Sequence, residues 1–344
     1  MKHLITGGCS FTSHERVNIH RSETEFMKDH HQFWYYPHWI QKLRPEIKVY
    51  NMGSPGSGNL SIARSVIYKI KQLLDLGIPG SEISIIIEWS NYHRKSYFVS
   101  KNLLSAHPFE PNTNYATDWI SEKEYPSEKG YWLTCQVPDM SRSSLEQVNN
   151  RAFKFNQHYL ETLYNDEERF IEWLEYFHYL ILFCENNGIK LKCFFMHNPF
   201  SSKYHYGMLP WNIKPGKETI KALFVDKKLE NTCDETLDDL IKRFPYSESN
   251  FRMIDWEKYC WFFNEDGIHK NGGVLEWTIR NQIESTEENF VPLYQEYYQY
   301  GSQKKTEEAL MEGGTASSWG HTSSENYKKF TEEVILNWEM FYDK

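Results

Sequence analysis

A chain of 344 residues with 40% hydrophobic residues, 16% aromatic residues and a formal net charge of −9 is long enough to bury a full core, as one large domain or two ordinary ones. The negative balance, with no Lys/Arg cluster, argues against nucleic acid as a partner. No apolar run approaches the ~18 residues of a membrane span. The start, Met1 to Gly7, lacks the apolar stretch of a secretion signal, so a cytoplasmic protein is expected, with a virion or virus-infected cell as the other setting.

The first apolar run, Leu4-Ile5-Thr6, predicts a β-strand over 3–7. A polar, His-rich loop follows over 13–32. Residues 33–43 read as a helix with Pro37 near its first turn. Ile47 to Tyr50 forms a second strand and runs into a Gly-rich loop, Asn51 to Asn59. Leu60, Ala63, Val66, Ile67, Ile70, Leu73 and Leu74 then recur at helical spacing, and Gly77 stops the helix. Ile83-Ser84-Ile85-Ile86-Ile87 suits a strand buried on both faces, ending at Glu88 to Asn91.

Residues 92–165 have weak periodicity and read as an insertion of loops. A strong helix over 167–187 turns Phe170, Trp173, Leu174, Phe177, Leu180, Ile181 and Cys184 inward, and Asn186-Asn187-Gly188 ends it. Ile189 to Met196 is a fourth strand. A second insertion spans 200–250, and Phe251 to Asp255 reads as a fifth strand. Residues 256–300 are aromatic and mixed, and 301–320 are small and polar, like a flexible loop; together they make a third insertion, about 256–320. A closing helix puts Tyr327, Phe330, Val334, Ile335, Trp338 and Phe341 on one face, with Ser323 or Ser324 as its N-cap. Strands alternating with helices imply a mostly parallel sheet covered on both faces, in one decorated domain over 1–344.

The six cysteines (Cys9, Cys135, Cys184, Cys193, Cys233, Cys260) lack C-x-x-C spacing, so neither a zinc site nor a disulfide framework is expected. His14, His30 and His31 lack a third ligand at a metal-binding spacing. The Gly-rich loop lacks the Gly-Lys-Ser/Thr ending of a P-loop and the spacing of a dinucleotide site. No metal or cofactor is expected.

Chemistry concentrates where strands end. Gly7-Gly8-Cys9-Ser10-Phe11-Thr12 leaves a hydroxyl at the carboxyl end of the first strand, the edge where open α/β sheets bind ligands. The second strand offers Gly53 to Asn59, the third offers Ser90 and Asn91, and a late segment offers His321. A hydroxyl with a neighbouring base can act as a nucleophile, and amide donors can hold the oxyanion that follows. The ordinary readings are a turn serine, turn glycines with Asn59 as an N-cap, a loop Asn and an exposed His. Cys9 reads as a small buried hydrophobe.

On these residues the chain resembles the SGNH (GDSL-type) hydrolase family. Gly8-Cys9-Ser10 stands for the family's Gly-Asp-Ser, with Cys9 where Asp is usual. Asn51-Met52-Gly53-Ser54-Pro55-Gly56 resembles the second block, with Gly56 as donor, and Glu88-Trp89-Ser90-Asn91 loosely resembles the third. For the last block, His321-Thr322-Ser323 before the closing helix is preferred, although Ser318 stands three residues earlier where the family has Asp. The rival is Asp266-Gly267-Ile268-His269, a literal Asp-x-x-His.

The resemblance implies a three-layer α/β/α flavodoxin-like sandwich with a five-stranded sheet and aromatic-rich insertions. It implies a serine esterase or carbohydrate O-deacetylase acting on a small-molecule or carbohydrate ester. Ser10 would be the nucleophile, His321 or the Asp266–His269 pair the base system, and Ser10, Gly56 and Asn91 the oxyanion donors. Two other readings stand beside it: an inactive scaffold of this type that binds a glycan or serves as a structural or viral accessory protein, and a binding module for a nucleotide or phosphate.

Overall fold

The computed structural model describes residues 2–9, 12, 34–53, 57–90, 92, 94–100, 116–117, 130–135, 162–163, 165–195, 242, 244–262, 273–274, 277–278, 281, 316–317, 321–322 and 324–342. Its centre is a parallel sheet of four strands: β1 (His3–Gly7), β2 (Lys48–Asn51), β3 (Ile83–Trp89) and β7 (Lys190–Phe195), in the order β2-β1-β3-β7. β1 pairs with β2 on one side (Ile5 opposite Tyr50) and with β3 on the other (Ile5 opposite Ile85). The chain thus goes to one side of β1 and then returns to the other. That reversal opens a crevice beyond the carboxyl ends of β1 and β3.

Side-chain alternation along these strands feeds two cores. Ile5, Ile85, Ile87, Cys193 and Phe195 meet helices α2 (Asn59–Asp75) and α3 (Asp166–Asn186) through Ile62, Val66, Ile70, Phe170, Trp173 and Phe177. Leu4, Ile86 and Phe194 meet α1 (Tyr36–Leu43) and α6 (Ser324–Glu333) through Tyr36, Ile40, Tyr327 and Phe330. All seven residues of β3 are buried, as its unbroken apolar run requires. The helix stops expected at Gly77 and Gly188 are present, at φ +81° and +66°, a region in which only glycine is unstrained. Asn165 caps α3 by accepting from Glu168 N.

Three expectations need correction. Phe251 to Asp255 is not a strand. Residues Glu248–Arg252 form the short helix α4, tied by an Arg252–Glu248 ion pair of 2.9 Å, and Asp255 caps the next helix, α5 (Trp256–Tyr259), through Lys258 N. The one β-pairing on that edge of the sheet among the described residues is an isolated parallel bridge, Cys193 to Cys260, with Trp261 N donating to Cys193 O at 2.8 Å. Second, residues 92–165 hold more than loops. β4 (Lys95–Ser100), β5 (Ala116–Thr117) and β6 (Gly130–Cys135) form an antiparallel sheet in the order β4-β6-β5. In register, Tyr97 stands opposite Leu133 and Val99 opposite Tyr131. Lys95 on β4 is tied to Glu172 on α3, which also takes the buried Arg169.

Third, the closing helix is shorter than its apolar spacing suggests. It gives way after Glu333 to 3₁₀ turns at Ile335–Asn337 and Glu339–Phe341. There the Asn337 amide donates to Glu333 O at 2.8 Å, a side chain serving the carbonyl that the helix leaves free. Just before α6, β8 (Ala316–Ser317) and β9 (His321–Thr322) pair as a small antiparallel ladder inside the expected loop region. No described helix is long and apolar enough to cross a membrane.

Candidate functional site at the carboxyl edge of the sheet

The glycines after β1 are demanded by crowding. A Cβ on Gly8 would lie 1.8 Å from Thr12 Oγ1, and one on Gly7 would lie 2.6 Å from Val66 Cγ2 on α2. Gly53, beyond β2, would bring its Cβ within 2.7 Å of Thr12 Cγ2. Thr12 is therefore packed into a space that only glycines leave open. Its N–H returns to Cys9 O at 3.0 Å, which holds together the two ends of the segment carrying Ser10.

Thr12 is also the hub of a buried polar network. Its hydroxyl donates to Glu88 Oε2 at 2.9 Å, and its carbonyl accepts from Asn51 Nδ2 at 3.1 Å. Asn51 Oδ1 takes the Gly53 N–H at 2.9 Å and the Thr6 hydroxyl at 3.3 Å. Three strand ends are thereby joined: β1 through Thr12, β2 through Asn51 and β3 through Glu88.

Glu88 is fully buried, and its second oxygen, Oε1, has no hydrogen-bond partner among the described residues. Burial pushes its carboxyl from an ordinary 4.5 to about 8, against the opposing pull of the Thr12 hydroxyl. Near neutral pH this is mainly a neutral acid held inside a sheet. The Tyr36 and Tyr327 phenols are raised too, first by burial and next by the Glu88 charge. Tyr36 Oη donates to Gly7 O at 3.3 Å, and its ring lies 6.5 Å from that of Tyr327. The start of α6, pinned to α1 by Trp39 Nε1 donating to Ser324 O at 2.9 Å, thus stands over the ends of β1 and β3.

A second network joins α2 to the end of β3. Gly58, and not Asn59, is the N-cap of α2, and no side chain caps the helix. Asn59 Oδ1 instead accepts the Ser90 N–H at 3.0 Å. Arg94 Nη1 donates to Ser90 Oγ at 2.9 Å and to Ser57 O at 3.3 Å.

Most of the residues singled out from sequence lie outside the described residues: Ser10, Gly56, Asn91, Asp266 and His269. His321 is described as backbone, in β9 opposite Ser317, three residues before α6. What the structure brings together is their neighbours in sequence. Cys9 and Thr12 flank Ser10, Gly53 and Ser57 flank the stretch with Gly56, and Ser90 and Tyr92 flank Asn91. Asp266 and His269 fall between Cys260, on the β7 edge, and a helical turn where Trp277 N donates to Gly273 O at 3.1 Å. Val274 and Trp277 of that turn pack in the same core as Tyr327 and Phe330.

Cys9, Cys184, Cys193 and Cys260 are buried free thiols, and burial raises the last three. Among the described residues no group of three or more His, Cys, Asp or Glu could hold a metal ion. Comparisons with protein-family models, curated proteins and solved structures give no match. Sequence reasoning missed Glu88, Thr12, Asn59 and Arg94. The legible signal for Glu88 was a lone acid closing an otherwise apolar run.

Proposed function

We propose that this chain is a serine hydrolase of the SGNH type, acting on a small-molecule or carbohydrate ester. The single observation that carries the reading is the junction at the carboxyl edge, where Thr12 is hydrogen-bonded to both Asn51 and Glu88 beside the switch point between β1 and β3. It supports a three-layer, flavodoxin-like sandwich in which the segments bearing Ser10, Gly56 and Asn91 open on one crevice. In that architecture Cys260 occupies the fifth sheet position.

In the proposed reaction a histidine takes the Ser10 proton while Ser10 Oγ attacks the ester carbonyl carbon. The N–H groups of Ser10 and Gly56 and the Asn91 amide hold the resulting oxyanion. Collapse breaks the bond to the alcohol, which leaves with the proton returned by the histidine. Water, deprotonated by the same base, then releases the acyl group as its acid.

The placement of Gly273 to Trp277 favours Asp266–His269 as the base system. The pair follows a chain segment parallel to β7 and precedes a turn packed against the sheet, and the carboxylate stands three residues before the imidazole. His321 is the alternative, with Ser318 at that position. The other reading is an inactive scaffold that binds a glycan, favoured by Cys9 in place of the usual Asp.

Fluorophosphonate labelling followed by mass spectrometry tests the proposal on the wild type, His269→Ala and His321→Ala. Label on Ser10 that is lost with one histidine identifies an activated serine and its base. An unlabelled Ser10 between pH 6 and pH 9 leaves the inactive scaffold as the reading.

A further inference from the structure

The amino-terminal end of α2 gathers more buried hydrogen-bond donors than the described residues supply acceptors for. Ser57 is fully buried and Asn59 is 2% exposed, yet Ser57 Oγ, Asn59 Nδ2 and the Arg94 Nε have no partner among the described residues. The Asn59 amide is fixed because its oxygen holds the Ser90 N–H, which joins the start of α2 to the end of β3 and leaves its Nδ2 for another acceptor. Arg94 lies across the same gap. Its Nη1 is spent on Ser90 Oγ and Ser57 O, while its buried Nε has no acceptor. No ion pair neutralises it among the described residues. The first N–H groups of this 17-residue helix have no side-chain cap at Gly58.

An uncompensated guanidinium, two unpartnered buried donors and a helix amino terminus all call for negative charge. A planar or tetrahedral oxyacid group supplies acceptors of the kind they lack, and the Nε edge of Arg94 suits an acceptor with more than one oxygen.

We propose that Ser57, Asn59 and Arg94, with the first turn of α2, bind an oxyacid group, carboxylate or phosphate, on the ligand of this crevice. As a statement about substrate this rests on the hydrolase reading. The ester would then carry its anionic group beside the scissile bond, since Ser57 follows Gly56 and Ser90 precedes Asn91. As a statement about binding it does not need that reading.

The test is isothermal titration calorimetry of the full chain with inorganic phosphate and with acetate, on wild type, Arg94→Gln and Ser57→Ala. The expected result is saturable binding of at least one probe, weakened tenfold or more in Arg94→Gln, as loss of a charged hydrogen bond implies, and severalfold in Ser57→Ala. The stronger of the two probes tells whether the group is a phosphate or a carboxylate. Absence of saturable binding by the wild type overturns the proposal and assigns the donors to water. Binding unchanged in Arg94→Gln overturns it too. Should Arg94→Gln fail to fold, Ser57→Ala decides alone, and unchanged affinity there is equally fatal. Fluorophosphonate labelling of the same samples keeps the two ideas apart. A chain that binds phosphate through Arg94 but never labels at Ser10 loses the hydrolase reading and keeps the anion site.

Discussion

Replacing Glu88 by Gln tests the energetics of the buried network directly. Gln keeps an acceptor for the Thr12 hydroxyl and removes the ionisation. In the folded chain the Glu88 carboxyl is raised from 4.5 to about 8 by burial, so the native state holds this proton more tightly than the unfolded state does. The stability tied to that proton is fully present below about 4.5. It falls as pH rises and is gone above about 8. At about 1.4 kcal/mol for each tenfold change in proton affinity, the whole effect amounts to roughly 4–5 kcal/mol. The assay is urea unfolding of wild type and Glu88→Gln at intervals from pH 5 to pH 9. The variant should gain on the wild type by about 1 kcal/mol or more per pH unit up to pH 8, then level off. Parallel curves across that range would refute the claim that the folded protein shields a neutral carboxyl.

Four further outcomes follow from the same geometry. Gly8→Ala should destabilise the fold by about 1–3 kcal/mol, because its Cβ would strike Thr12 Oγ1 and the turn must shift; thermal unfolding measures it. Asn59→Ala should cost about 1–3 kcal/mol in chemical denaturation, since it orphans the buried Ser90 N–H. Phe177→Ala, at a fully buried position facing the sheet, should cost about 3–5 kcal/mol by the same assay. Ser10→Ala should abolish fluorophosphonate labelling with little change in melting temperature; a variant that still labels elsewhere at the wild-type rate removes Ser10 from the mechanism.

The frame was legible where one periodicity dominated. The Ile83 to Ile87 run could only be a strand buried on both faces, and Phe170, Trp173 and Phe177 could only share one helical face. Phe251 to Asp255 misled because five residues are too few for spacing to decide between strand and helix. The candidate site was legible as strand ends and hidden as bonds. Thr12 and Glu88 stand far apart in sequence, and nothing in the spacing of either foretells their 2.9 Å hydrogen bond. Asn59 looked like a cap because Asn often caps. Gly58 takes that role, and the Asn59 amide is committed to a strand end that sequence cannot bring near.

The joint between α1 and α6 also bears on the order of folding. Leu4 is made long before Tyr327 and Phe330, which help to cover its face of the sheet. A nascent chain can assemble β1, β2, β3 and β7 with α2 and α3 while that opposite face still lacks its final cover. Until residues 324–342 leave the ribosome, Leu4, Ile86 and Phe194 present apolar surface to whatever is nearby. The exposure of this face to aggregation is therefore set by the time between making β1 and making α6, and slower synthesis of the intervening chain lengthens it.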